Sequence, residues 1–112
     1  MVGTMRHLIF AAALMTGLIW SQPGQAITGN ELYYYCKETS NLTNRSICLG
    51  YVMAVADFLS SSWCIPSGSS HGQAMDIVAK ALKEHPEKRN ENATLLAWDA
   101  LRLAWPCPKK KP

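Results

Sequence analysis

Apolar positions recur at intervals of three and four along most of this chain, the period of a helix with one buried face. No run alternates apolar with polar residues between turn signals, as a half-buried strand does. The stretch TGNE, residues 28–31, has the spacing of a capping box, in which the first and fourth residues satisfy each other's backbone N–H groups. It predicts a first helix to about Thr39 with Leu32, Tyr35 and Cys36 facing inward. Residues 40–44, SNLTN, read as a turn. A second helix is predicted from about Ser46 to Ser62, with Cys48, Tyr51, Val52, Val55 and Leu59 as its core stripe. A loop follows around Pro66, Gly68 and the neighbouring serines. Ser70 and Gln73 repeat the capping-box spacing and open a third helix, with Ala74, Ile77, Val78, Ala81 and Leu82 on one face and Pro86 bounding it near His85. After the polar stretch 87–92, a fourth helix carries Ala93, Leu96, Ala97, Ala100, Leu101 and Ala104, and Pro106 stops it.

The first 26 residues follow a different pattern. Arg6 precedes the apolar run 8–20, and Gly24 and Ala26 stand at the −3 and −1 positions of a cleavage site. That is the layout of a secretory signal peptide, with cleavage expected after Ala26. The run is short for a spanning helix, which needs about 20 apolar residues, so no membrane association is expected once the leader is removed. Residues 27–112 then form one small all-α, four-helix domain.

Export changes the meaning of the four cysteines, Cys36, Cys48, Cys64 and Cys107. In an oxidising compartment an even count in a short chain reads as two disulfides, which stabilise a domain with little core. An unbroken helix from 48 to 64 would hold those two residues roughly 24 Å apart at 1.5 Å per residue. A bridge needs Cα atoms within about 7 Å, which excludes that pairing. Of the two pairings left, 36–48 with 64–107 is the simpler, since each joins neighbouring helix ends.

The formal charge of +3 adds little. Arg6 belongs to the leader, and Lys109, Lys110 and Lys111 form a solvated tail. No basic stripe of the kind that binds nucleic acid runs along any helix. The motifs of hydrolase elbows, zinc proteases and phosphate loops are missing, and no cofactor or metal is expected. Cys64 with His71 or His85 is the one conceivable nucleophile and base, and a disulfide consumes that thiol. The sequons at Asn41, Asn44 and Asn92 matter only in a glycosylating host.

Asp57 is the conspicuous residue, an acid within the apolar stretch of the second helix. At about 100° per residue it points away from the Cys48, Val52 and Val55 stripe and shares its side with Gly50 and Ala54. Two small residues beneath an acid suggest close backbone packing, with Asp57 as a peg accepting hydrogen bonds or pairing with a cation. Contact with a partner is the other reading. Trp98, Leu101 and Trp105 lie beside the alanine stripe of the fourth helix, where they either widen the core or form a second apolar face for another subunit. Tyr33, Tyr34 and Tyr35 cannot all point inward, which leaves tyrosine surface for contacts.

These features occur together in a family pattern. Cys36, then Cys48, Gly50, Tyr51 and Asp57, then Trp63-Cys64-Ile65-Pro66, then His85-Pro86-Glu87, then Ala104-Trp105-Pro106-Cys107 resemble the Rap/Tai family of periplasmic immunity proteins of bacterial type VI secretion. The likeness runs from about Glu31 to Pro108. Ala54 stands where the family often has a second glycine. The resemblance implies a disulfide-bonded helical protein of the periplasm, often a homodimer, that binds a peptidoglycan amidase from neighbouring cells and blocks its active-site groove. It implies no enzyme activity. On this reading the cysteines staple, Gly50, Ala54 and Pro66 shape the backbone, and Asp57 pegs it. Partner choice then falls to exposed loops: Ser67, Ser69, Ser70 and His71 in one, Glu87, Arg89 and Asn90 in the other. Two alternatives fit the same fold: a periplasmic stress chaperone that exposes apolar surface on acidification, and a family member without a cognate toxin.

Overall fold

The computed structural model describes residues 25–38 and 40–109, so the leader through residue 24 and the lysine tail beyond residue 109 lie outside the described residues. Within them stand four helices: α1 (Gly29–Cys36), α2 (Leu42–Phe58), α3 (His71–Glu84) and α4 (Ala93–Ala104), with 3₁₀ turns at Ser60–Ser62 and Pro86–Lys88. None of these helices is long and apolar enough to cross a membrane.

The local signals explain the helix ends. Both expected capping boxes form: Thr28 with Glu31 opens α1, and Ser70 with Gln73 opens α3. Asn92 caps α4 through Thr94 and Leu95. The second helix begins earlier than expected, because Asn41 Oδ1 accepts from the Asn44 N–H at 3.1 Å and turns the supposed break into a cap. It also ends earlier, at Phe58, and α1 stops at Cys36 rather than near Thr39.

The four helices enclose a core of Leu32, Cys48, Val52, Val78, Ala93, Ala97 and Leu101, all fully or almost fully shielded. Met75 and Trp63, which the periodicity did not single out, join it, whereas Ala104 turns to solvent. A hydrogen bond of 2.7 Å between Tyr51 Oη and Thr94 Oγ1 ties α2 to α4.

The disulfides pair as 36–48 and 64–107, with Cα–Cα distances of 5.1 and 4.8 Å. The first closes the α1–α2 hairpin. The second joins the segment after α2 to the segment after α4 across 43 residues. Beside it the Cys64 N–H donates to the Trp105 carbonyl at 3.0 Å.

A backbone strap holds the start of α1. Gly29 N–H donates to Glu91 O (2.9 Å), Asn30 N–H to Arg89 O (2.7 Å) and Ala93 N–H to Ile27 O (2.9 Å), around an antiparallel pairing of Thr28 with Asn92. The approach is so close that a Cβ on Gly29 would overlap Leu96 Cδ1 and lie 3.0 Å from both Cα and O of Arg89.

Two structural expectations are corrected. Gly50 and Ala54 do not shape a close contact: both are exposed, and a Cβ added at Gly50 meets nothing within 4 Å. Leu101 (0 % exposed) and Trp105 (8 %) are core residues, so they form no dimer face; only Trp98 of that trio keeps part of its surface, with the Arg102 guanidinium 4.9 Å over its ring.

The contrast between the two glycines gives a test. Gly29→Ala is expected to cost on the order of 1–3 kcal/mol, the range of overpacked sites. Gly50→Ala is expected to stabilise by up to about 1 kcal/mol, because an exposed mid-helix glycine only adds chain entropy to the unfolded state. Thermal melts followed by circular dichroism would refute the strap if Gly29→Ala melted like the parent.

Candidate binding cleft

α2 ends where α3 begins, and a cleft of about 240 Å³ opens between them. Its walls are Ala56 and Asp57 from the last turn of α2, Ile65 and Ser69 from the loop, Ser70, His71 and Ala74 from the start of α3, and Trp105 from the end of α4. Ala56, Ala74 and Trp105 are buried and form an apolar base, while Asp57, Ser70 and His71 are exposed at its rim. Residues distant in sequence are brought together here because the 64–107 bridge and the buried Trp63 hold the connecting segment against the end of α4.

The loop itself is built for a sharp reversal. Gly68 has φ +85° and the Ser69 N–H donates to the Pro66 carbonyl at 3.1 Å. That is a turn with glycine at the position needing a left-handed backbone. Ser67 stands exposed at the tip.

Asp57 is not a peg. Its side chain is exposed and makes no hydrogen bond or ion pair among the described residues. The N-terminus of α3 shares its cleft, and the partial positive charge there favours an acid. Phe58, next in the chain, is 87 % exposed. Sequence reasoning passed over this aromatic, although its place beside Asp57 at a helix end was the available signal.

In the second expected partner loop, Arg89 has a structural role. Arg89 lays its guanidinium 4.1 Å over the Tyr33 ring, is half-buried, and gives its carbonyl to the α1 strap. Glu87 accepts from or shares a proton with His85 Nδ1 at 3.1 Å. Its own backbone N–H first, and then His85, hold the Glu87 carboxyl below its usual pKa. Any stabilisation from this exposed contact is therefore present above the ordinary carboxylate pKa and is lost as pH falls through the depressed one. Glu87 and Asn90 remain on the surface, but they do not line the cleft. Cys64, the imagined nucleophile, is bonded to Cys107.

A small helical domain, covalently stapled, whose most distinctive surface is an acid and an aromatic beside a protruding turn, is equipped for binding another molecule. The chain belongs to the Rap1a immunity protein family, whose model matches residues 28–107. Membership gives it an immunity role and, with that, binding of a secreted effector. No curated protein matches it.

With no fold contact to lose, Asp57→Asn should leave the melting temperature within the small range typical of surface changes, about 0.5 kcal/mol in stability. A loss several times larger in a denaturant titration would restore the peg.

Proposed function

We propose that this protein is exported to the periplasm, loses residues 1–26, and there binds a peptidoglycan amidase delivered by type VI secretion, occluding the amidase's active-site groove. It acts by binding and catalyses no reaction. The observation that carries the reading is Asp57: an exposed carboxylate that the fold does not use, sharing a cleft with Ser69, Ser70 and His71 in a member of an immunity family. A turn that projects polar side chains beside an apolar base suits insertion into an enzyme groove, and the neighbouring Phe58 supplies the aromatic contact that dominates many interfaces.

The homodimer that the resemblance implies needs another face than Leu101 and Trp105. We assign it to the groove of about 360 Å³ between α3 and α4, where Ile77, Ala81 and Leu96 form an apolar floor and Leu103 is 71 % exposed.

The test is a pull-down of oxidised residues 27–112 from periplasm containing amidase effectors. One amidase should be recovered at near-equal stoichiometry with its activity blocked. Asp57→Asn should then weaken the complex about tenfold or more, the scale of a lost charged hydrogen bond, without changing the fold. Recovery of no amidase by a folded, oxidised protein would remove the amidase reading, and suppression of client aggregation at low pH would point to a stress chaperone. Leu103→Glu should shift a dimer to a monomer in light scattering, and an unchanged mass would remove the α3–α4 groove as the dimer face.

A further inference from the structure

The two disulfides live in opposite environments. Cys36 and Cys48 are 8 % and 0 % exposed, sealed between α1 and α2 within the core. Cys64 and Cys107 are both exposed, outside any helix, in the segments that follow the Ser60–Ser62 turn and α4. Thiol–disulfide exchange requires a thiolate to reach a sulfur, so access decides which bridge reacts. The inner bridge becomes reachable only when the packed helices open, which is a rare excursion of the folded protein.

We propose that Cys64–Cys107 is a site of thiol–disulfide exchange with an external dithiol, and that it works as a clamp on the binding cleft. In the exchange one thiolate of the dithiol attacks a sulfur of the bridge, the Cys64–Cys107 bond breaks, and a mixed disulfide forms. The second thiol then displaces the protein sulfur and closes the dithiol's own disulfide. The dithiol loses two electrons and two protons, and Cys64 and Cys107 gain them as thiols.

The geometry couples this bridge to the cleft. Ile65, the residue after Cys64, and Trp105, two before Cys107, both line the cleft wall. Once the bridge opens, the Cys64–Trp105 backbone hydrogen bond of 3.0 Å joins the two segments on its own at this point. Trp63 and Trp105, 2 % and 8 % exposed, stay anchored in the core. Opening therefore loosens the loop that carries Ser69 and Ser70 and leaves the helices packed. The exchange itself stands apart from the function proposed above; its effect on effector binding rests on that reading.

Graded dithiothreitol under native conditions, followed by iodoacetamide trapping and peptide mapping, tests the exchange. Cys64 and Cys107 should be labelled at dithiol concentrations at least about tenfold below those that open Cys36–Cys48, with the helical circular dichroism kept. Simultaneous opening of both bridges, or earlier opening of the inner one, would overturn the proposal. The double variant Cys64→Ser, Cys107→Ser tests the clamp: it should keep its helical spectrum and bind a captured amidase at least about tenfold more weakly than the oxidised parent. Equal affinity would overturn the clamp while leaving the exchange site in place. If the parent itself captures no amidase, the function reading fails, and the labelling pattern still decides the exchange.

Discussion

An eight-residue helix does not persist alone in water, because nucleating its first turn costs more than so few hydrogen bonds return. α1 is such a helix, and the rest of the fold depends on pinning it at both ends. At one end Cys36 is bonded to Cys48; at the other the strap of residues 27–30 against 89–93 supplies three backbone hydrogen bonds. Between these points Leu32, with no exposed surface, belongs to the common core together with Cys48, Val52 and Val78. A chain this short buries only a modest apolar core, and each disulfide contributes roughly 2–4 kcal/mol, comparable with the whole stability of many small domains.

The second covalent tie acts on a different part of the molecule. Cys64–Cys107 adds little to the core, since both cysteines face solvent. It fixes the segment leaving α2 to the segment leaving α4, and that fixes where α3 starts. The end of α2 and the start of α3 then share one cleft, with Asp57 near the positive end of α3. One staple is thus buried in the core, and the other is exposed beside the cleft.

The parts legible in the sequence were those encoded over a few residues. Thr28 with Glu31 and Ser70 with Gln73 announced helix starts because the capping box is a four-residue device. Helix length excluded one of the three cysteine pairings, the simpler of the other two is the one formed, and the stripes of α2 and α3 followed from period. The errors came where one residue type serves two ends or where the partner is distant. Asn41 reads as a turn former and is a helix cap, because the same side-chain oxygen serves both. Trp105 fits an i, i+7 spacing with Trp98, yet it is the residue after α4, with φ −127° and ψ 61°, so its side chain leaves the helical register and enters the core. The Arg89–Tyr33 stack and the α1 strap join segments some sixty positions apart and leave no local trace. For Asp57 the helical wheel gave the side correctly, opposite the core stripe. What it could not supply was whether another helix covers that side, and none does.

That open side bears on function. Folding selects for buried apolar groups and satisfied polar ones, and near the end of α2 Val55 and Ala56, which are 6 % and 3 % exposed, obey this. Its next two residues depart from the rule together. Asp57 places a charge in the last turn of a helix, where the dipole of α2 disfavours an acid by about 0.3–1 kcal/mol. Phe58 leaves an aromatic ring in water, where it contributes nothing to the core. An isolated exposed ring would need no explanation. An unpaired acid followed directly by an exposed ring, at the rim of a cleft held by its own disulfide, is the composition of a contact surface whose energy is recovered only when a partner covers it. In a chain of an immunity family, the effector is the partner proposed for that surface.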